Sequence, residues 1–317
     1  MKSKISIIVG GSGQFGIHLN SYLSNKNHKI LITTRNIKKA STKLKGNIYK
    51  SKIIKLDIYN KVEIIKLLKK YNPNYIFYFA GLSSPMKSFL TPKEAIKSNY
   101  IGCRNFLEVL KENKFKTKFL NASSCEVFGA TSKKLDVKSF KKPISPYGVS
   151  KLMSYNLTKK FRDEYGIKAY NAIIFNTESI YRSKDYLIPK ICLAAIRAYK
   201  IKAKTYFGNI NISREWNWCE EQVEYIYKFI NKSPQDFILS NGKLYSAKDM
   251  LYFAFKYFNL DYRKYTSVKK KFFRKKDFRV KRSNYLVCLK RNNLKRVPGI
   301  FGKKIIHKLI KNYINAN

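Results

Sequence analysis

Acidic residues are scarce in this chain: 19 Asp and Glu stand against 66 Lys and Arg, giving a formal net charge of +47 over 317 residues. Histidine is rarer still, at three, and the five cysteines (Cys103, Cys125, Cys192, Cys219, Cys288) form an odd, scattered set without CxxC spacing. A disulfide framework needs paired cysteines and a structural zinc site needs clustered Cys or His, so neither is expected. Scattered thiols suit a reducing compartment, and a cytoplasmic location is expected. No apolar run approaches the ~20 residues of a membrane span. The opening MKSKISIIVGGSG resembles a signal peptide in its lysines and following apolar stretch, but that stretch is only about five residues long and empties into a glycine loop. It reads as a first strand.

Apolar and aromatic residues are plentiful, at 44% and 15%, which excludes a disordered chain despite the charge. The length allows one large α/β unit or two domains. The basic excess invites a nucleic-acid or anionic-membrane partner. Lysine is nevertheless spread along the whole chain, enriched but not confined at the C-terminus, where residues 261–317 hold 19 Lys and Arg against two acids. The stretch VKKKFFRKK (268–276) interleaves aromatics with cations, as single-strand binders do. A solvated basic face that also attracts anionic substrates is the favoured reading. A nucleic-acid partner is disfavoured and a membrane partner is not expected.

Short β-branched runs alternate with helical patterns through the first 180 residues. ISIIVG (5–10), KILITT (29–34), KIIKLD (52–57), YIFYFA (75–80), KFLNAS (118–123) and AYNAIIFN (169–176) read as strands. Helical patterns lie between them, including a long one around 92–113 and another around 147–165. Apolar runs without strict alternation are what strands buried on both faces require. Repeated strand–helix–strand units imply an α/β fold with a Rossmann-type doubly wound parallel sheet. The expected division is a cofactor-binding domain over 1–176, with 215–232 returning to it, and a smaller, interleaved C-terminal substrate domain over 177–317. In the latter, Ser246 and Asp249 of SAKD form a capping box before a helix.

The first strand empties into GGSGQFG, with Gly10, Gly13 and Gly16 in GxxGxxG spacing and Gln14 and Phe15 between them. Glycines there permit a tight turn, close approach of backbone to a pyrophosphate, and tight helix–strand packing, and the next helix offers its N-terminal N–H groups to phosphate. The second strand ends in TTRN rather than in an acid. Arg35 can pair with a ribose 2′-phosphate where an Asp or Glu would accept from the 2′-OH, which favours NADP over NAD. Asp57 could receive the adenine amino group, or cap the helix that starts near Asn60.

In SPYGVSK, Tyr147 and Lys151 are four apart and share one helix face. An ammonium beside a phenol favours the phenolate, so such a tyrosine can exchange a proton with a sugar hydroxyl while hydride passes to or from a nicotinamide. In ASSCEVFG (122–129), Glu126 sits beside Ser123 and Ser124 at a strand end, either as a local turn carboxylate or as a base.

The order of glycine loop, Ser124, Tyr147 and Lys151 resembles the extended short-chain dehydrogenase/reductase family, which acts on nucleotide sugars. Within it the chain resembles the GDP-mannose 4,6-dehydratases, through GGSGQFG, ASSCEVFG, IIFNTES (173–179) and FGNINISREW (207–216). The resemblance spans roughly residues 4–260. It implies a lyase in which Tyr147 deprotonates the C4 hydroxyl as hydride passes to NADP, and Glu126 removes the C5 proton. Water then leaves from C6 and hydride returns there. It further implies Ser124 as a hydrogen-bond partner of O4, cofactor contacts from Tyr147 and Lys151, and substrate contacts from Asn176, Glu178, Ser179, Lys190, Arg214 and Arg274. A homodimer or homotetramer is implied as well. The related dTDP-glucose dehydratases carry an Asp immediately before the glutamate; here that place is Cys125, which reads as a packing residue. Departures from the family pattern are a short segment between Arg35 and Asp57, Phe128 at a Tyr position, and REWNWCEEQV where Asp-Trp-Gly is usual. A sister epimerase or reductase, and a basic non-catalytic nucleic-acid-binding relative, are the alternatives. Retention of Ser124, Glu126, Tyr147 and Lys151 together weighs against the last.

Overall fold

The strands β1 (Ile5–Val9), β2 (Lys29–Thr34), β3 (Ser51–Lys55), β4 (Tyr75–Tyr78), β5 (Lys118–Ser124) and β6 (Ala169–Ile174) join the strand Asp236–Leu239 in one parallel sheet. The computed structural model describes residues 3–46, 51–131, 133–273, 280–294 and 298–315. Contacts divide the chain into two compact units. One comprises Met1–Gly129, Val137–Ile174 and Val223–Leu239; the other comprises Ala130–Asp136, Phe175–Gln222 and Ser240–Asn317. The segment returning to the first unit therefore begins later than 215–232 and includes a strand, DFIL, too short to stand out in the sequence.

The sheet order is β3-β2-β1-β4-β5-β6 followed by Asp236–Leu239. Its direction of growth reverses between β1 and β4, and the C-terminal ends of those two strands open the crevice where doubly wound folds bind ligands. Burial on both faces explains the apolar runs: Ile7, Ile8, Ile30, Leu31, Ile32, Ile76 and Phe77 are all sealed from solvent.

Helices α1 (Gln14–Ser24), α2 (Ile37–Leu44), α3 (Lys61–Tyr71), α4 (Pro85–Leu90), α5 (Pro92–Ile96), α6 (Gly102–Glu112) and α7 (Pro146–Tyr165) accompany the sheet. Most begin on a polar cap: Asn36 for α2, Asn60 for α3, Ser84 for α4 and Ser145 for α7. α7 ends at Gly166 in the left-handed conformation. The single helix expected around 92–113 is interrupted by a π-turn at Lys97–Ile101. The cause is long-range: the Tyr78 hydroxyl donates to the Ser98 carbonyl at 2.9 Å, and Ser98 Oγ accepts from Leu82 N at 3.1 Å. Groups inserted this way displace the regular ladder.

A buried polar network ties α7 to the far strands of the sheet. Asp236 accepts from the Tyr155 hydroxyl (2.6 Å), Arg162 Nη1 (2.7 Å) and Asn171 Nδ2 (2.9 Å), and Asn121 Nδ2 donates to Asn171 Oδ1 (2.9 Å). Burial, reinforced by the Asp236 carboxylate, pushes the Tyr155 phenol far up, so it stays a donor.

In the second unit the helices Leu187–Ile201, Ala247–Lys256 and Lys303–Asn315 pack through Ile191, Ala195, Met250, Leu251, Ile306 and Leu309. The Ser246–Asp249 capping box is present, with Ser246 Oγ accepting from Asp249 N at 3.0 Å and Asp249 Oδ2 accepting from Ser246 N at 2.7 Å. A small sheet places Ser213–Arg214 between Tyr245–Ser246 and Val280–Lys281. None of the five cysteines forms a disulfide and all are buried. Among the described residues no helix is long and apolar enough to cross a membrane, and no His, Cys, Asp and Glu cluster could hold a metal.

Candidate active site

The loop after β1 lies at the switch point and is built for close approach. Gly10 has φ +82, and a Cβ there would stand 2.7 Å from the Ala80 amide nitrogen beyond β4. A side chain at Gly16 would overlap the backbone of Gly11. Gly13 opens α1 with its amide bonded to the Gly10 carbonyl at 3.1 Å. No side chain caps the helix and no acid occupies its first turn. Its N-terminal dipole is thus not offset by a side-chain cap or an acid, which suits the pyrophosphate of a dinucleotide. Phe15, within the loop motif, stacks on Phe79 at 5.5 Å between ring centroids.

Arg35 is exposed just beyond β2, before the Asn36 cap, and near enough to Tyr59 to oppose the upward shift that burial gives that phenol. Asp57 is exposed beyond β3. It does not cap α3; Asn60 does, accepting from Val62 N and Glu63 N. Asp57 instead accepts from Tyr59 N at 3.0 Å, a local turn made because Asn60 is better placed to reach the helix amides.

The reactive residues come together around α7. Ser124 ends β5 and caps a single 3₁₀ turn, Cys125–Phe128, with its Oγ accepting from Glu126 N at 3.2 Å. Glu126 is half-buried, and Cys125, as expected of a packing residue, is buried. The backbone of that turn packs on α7 at Gly148. Tyr147 is buried and its amide donates to Ser88 Oγ at 3.0 Å. Lys151 lies one turn on, with Nζ 5.9 Å from the Tyr147 ring centroid and donating to the Ala122 carbonyl at 2.8 Å. The ammonium is thus anchored to β5 near the Tyr147 ring.

Burial lowers the Lys151 pKa to about 8 from 10.5, with a small opposing contribution from Cys103. Two consequences of opposite sign follow. The ammonium beside the Tyr147 ring is lost as pH rises through about 8. The cost of burying that charge is present in full below that pH and is relieved on the way to 10.5, so this group's contribution to stability rises across the window. Oxidation rates at limiting substrate should therefore fall above pH 8 while Lys151→Met, uniformly slow, shows no such inflection. An unchanged inflection in the variant would assign the titration to another group.

The remaining candidates lie in the second unit. The Asn176 carbonyl accepts from the Asn217 amide and side chain, both at 2.8 Å, leaving its own side chain half-buried. Glu178 and Ser179 are sealed from solvent, at 2% and 0% exposure. Burial pushes the Glu178 carboxyl up to about 7, opposed by Arg182, whose Nε is 3.8 Å away. Lys190 donates to the Tyr206 carbonyl at 2.7 Å and lies over the Phe207 and Phe272 rings. Arg214 is 4% exposed and donates to the Ser213 carbonyl at 2.8 Å. Arg274 lies outside the described residues.

Two residues escape sequence reasoning. Asn99, on the π-turn, donates to the Leu82 carbonyl (3.2 Å) and Ser150 Oγ (3.1 Å) while its buried Oδ1 has no hydrogen-bond partner. Only the turn's geometry marks it. Lys281, 1% exposed, is the register partner of Arg214 in the small sheet. In so lysine-rich a chain it carries no signal until the strands pair.

A glycine cradle at the switch point, with a buried Tyr–Lys pair on the helix that flanks β5, defines a Rossmann-type protein of the extended short-chain dehydrogenase/reductase class. Comparison with solved structures agrees on the fold. UDP-glucose 4-epimerase of Thermotoga maritima superimposes with a TM-score of 0.86 at 18% identity, covering 98% of this chain and 99% of its own. dTDP-glucose 4,6-dehydratase of Bacillus anthracis, solved with NAD, gives 0.84 at 16% identity, covering 99% and 97%. GDP-mannose 4,6 dehydratase 1 of Arabidopsis thaliana is 26% identical over 286 residues, covering 86% of this chain and 79% of the relative. The Vibrio cholerae GDP-mannose 4,6-dehydratase is 26% identical over 265 residues, covering 79% and 71%. The model of the family described as GDP-mannose 4,6 dehydratase matches residues 7–291, and the chain belongs to that family.

Proposed function

We propose that this protein is an NADP-dependent 4,6-dehydratase that converts GDP-mannose to GDP-4-keto-6-deoxymannose. The observation that carries the proposal is the joining of Glu126 and Tyr147 through one packed contact, the Cys125–Phe128 turn against α7, beside the anchored Lys151. An epimerase that only oxidises and reduces at C4 has no need of that carboxylate.

When bound, NADP would supply the hydride acceptor for C4 of the sugar and the hydride donor for C6. The backbone cradle at Gly10, Gly13 and Gly16 suits its pyrophosphate, and the exposed Arg35, with no acid at the end of β2, suits a 2′-phosphate. Ser124 holds O4 by a hydrogen bond. Tyr147, favoured as phenolate by the Lys151 ammonium, takes the proton of the C4 hydroxyl. The resulting ketone acidifies C5–H, and Glu126 takes that proton. The hydroxyl of C6 then leaves as water with the proton Glu126 has gained, since the adjoining Cys125 supplies no carboxylic acid. Glu126 relays a proton from solvent to C5 to complete the product, and Tyr147 releases to solvent the proton it took from the C4 hydroxyl. Arg214, with a fork of guanidinium donors, is assigned to the substrate's diphosphate, as is Lys190. Glu178 and Ser179, buried as Arg214 is, stay in the proposed substrate-binding set with Asn176.

The test is incubation of the protein with GDP-mannose and a catalytic amount of NADP. A 4-keto-6-deoxy product without accumulation of reduced cofactor supports the assignment. A product that keeps its C6 oxygen, or net formation of NADPH, contradicts it. The contribution of Arg35 is separable: Arg35→Ala should weaken NADP binding about 10-fold or more while changing NAD binding little, as expected for loss of a charge-assisted pair. Equal loss for both cofactors would remove Arg35 from 2′-phosphate recognition.

A further inference from the structure

Gly148 follows Tyr147 in the first turn of α7, a position where helix propensity favours alanine over glycine by ~1 kcal/mol. The glycine is explained by what a side chain there would meet. A Cβ would stand 2.8 Å from the Glu126 carbonyl oxygen and 2.9 Å from Pro143 Cβ, both inside normal contact distance. The first of these is backbone, which cannot rotate away. The other end of the Glu126 turn is fixed too, since Gly129 has φ +68 and a side chain there would overlap the Lys142 carbonyl. The start of α7 is held by Ser145 Oγ, which accepts from Gly148 N at 3.0 Å, and, apart from residue 148, by the bond from Tyr147 N to Ser88 Oγ.

We infer that Gly148 is a positioning residue: its bare Cα sets the separation of the Glu126 turn from the helix that carries Tyr147. This rests on the dehydratase proposal, in which one sugar presents its C4 hydroxyl to Tyr147 and its C5–H to Glu126. Those carbons are bonded neighbours, so the two protein groups must be matched to within about 0.5 Å. A Cβ at 148 presses harder on the Glu126 carbonyl, at 2.8 Å, than on the cap atom Ser145 Oγ, at 3.3 Å, so alanine is expected to move the turn outward by a few tenths of an ångström while the Tyr147 amide keeps its bond to Ser88 Oγ. The C5 step is then impaired selectively.

The test compares wild type, Gly148→Ala and the neighbouring control Val149→Ala, whose side chain is 41% exposed. Each is given GDP-mannose and NADP in D₂O, with deuterium entry at C5 and single-turnover formation of reduced cofactor followed separately. For Gly148→Ala, C5 exchange and dehydration should fall about 10- to 100-fold, and C4 oxidation should stay within about threefold of wild type. Val149→Ala should match wild type in both. In a Glu126→Gln background, Gly148→Ala should change C4 oxidation no further, because its effect passes through the carboxylate. Wild-type C5 exchange in Gly148→Ala would overturn the inference. So would equal loss of both steps, or a variant that neither melts cooperatively nor binds NADP, since either outcome makes Gly148 a general requirement of the fold. Wild-type protein inert in both measurements would overturn the dehydratase proposal itself, and the inference with it.

Discussion

Glu126→Gln is expected to stop the reaction after its first half. Glutamine keeps the shape of the side chain and the 3₁₀ turn, whose amide at residue 126 remains bonded to Ser124 Oγ, but it cannot accept a proton. Oxidation at C4, which the proposal assigns to Tyr147 and Lys151, should proceed, leaving a 4-keto sugar that retains its C6 oxygen and reduced cofactor stoichiometric with enzyme. Deuterium entry at C5 and overall turnover should fall by about 10²–10⁴, the usual worth of a positioned general base. Separate measurement of the two steps is essential, because loss of turnover alone would not distinguish a missing base from a disturbed site. Normal C5 exchange in this variant would show that another group takes the proton and that Glu126 is a turn carboxylate only.

The second large effect concerns stability. Asp236 gathers Tyr155, Arg162 and Asn171 at 2.6–2.9 Å on the last strand of the sheet, beneath the helix that carries Tyr147 and Lys151. Asp236→Ala leaves the Arg162 guanidinium, 13% exposed, with only the more solvated Asp163 as counter-charge, and strands the buried Tyr155 hydroxyl. Removing one partner of a buried ion pair costs about 3–5 kcal/mol because the other charge stays buried. For a protein of this size the melting temperature should drop by roughly 5–8 °C. Asp236→Asn, which still accepts one hydrogen bond, should lose about half as much. A thermal shift of no more than about 2 °C for the alanine variant would show that solvent replaces the carboxylate and that the network does not brace α7.

Residues whose placement follows from local chemistry were legible in the sequence. Strands sealed on both faces had to be apolar runs, and β1 to β6 fall on ISIIVG, KILITT, KIIKLD, YIFYFA, KFLNAS and AYNAIIFN with only their ends adjusted. The glycine loop, the Ser246–Asp249 capping box and the Tyr147–Lys151 face likewise depend on neighbours a few residues away. What remained hidden depends on partners distant in sequence. The π-turn exists because Tyr78 reaches Ser98, and no local pattern announces it. Asp57 and Asn60 are both competent caps, and the choice between them is made by where β3 delivers the chain. Lys281 becomes notable only through its register with Arg214. Glu178 and Ser179 belong to a stretch that resembles the family, and their burial is something a motif does not report. For Gly148 the sequence shows a glycine in a helix, whereas the fold shows the carbonyl of Glu126 against it.

Internal return of hydride is the claim on which the dehydratase proposal turns, and isotopic labelling tests it directly. GDP-mannose carrying deuterium at C4 should give a 4-keto-6-deoxy product with that deuterium at C6, in the presence of only catalytic unlabelled NADP. Deuterium retained at C4, or released into a pool of reduced cofactor with the C6 oxygen still in place, would contradict it.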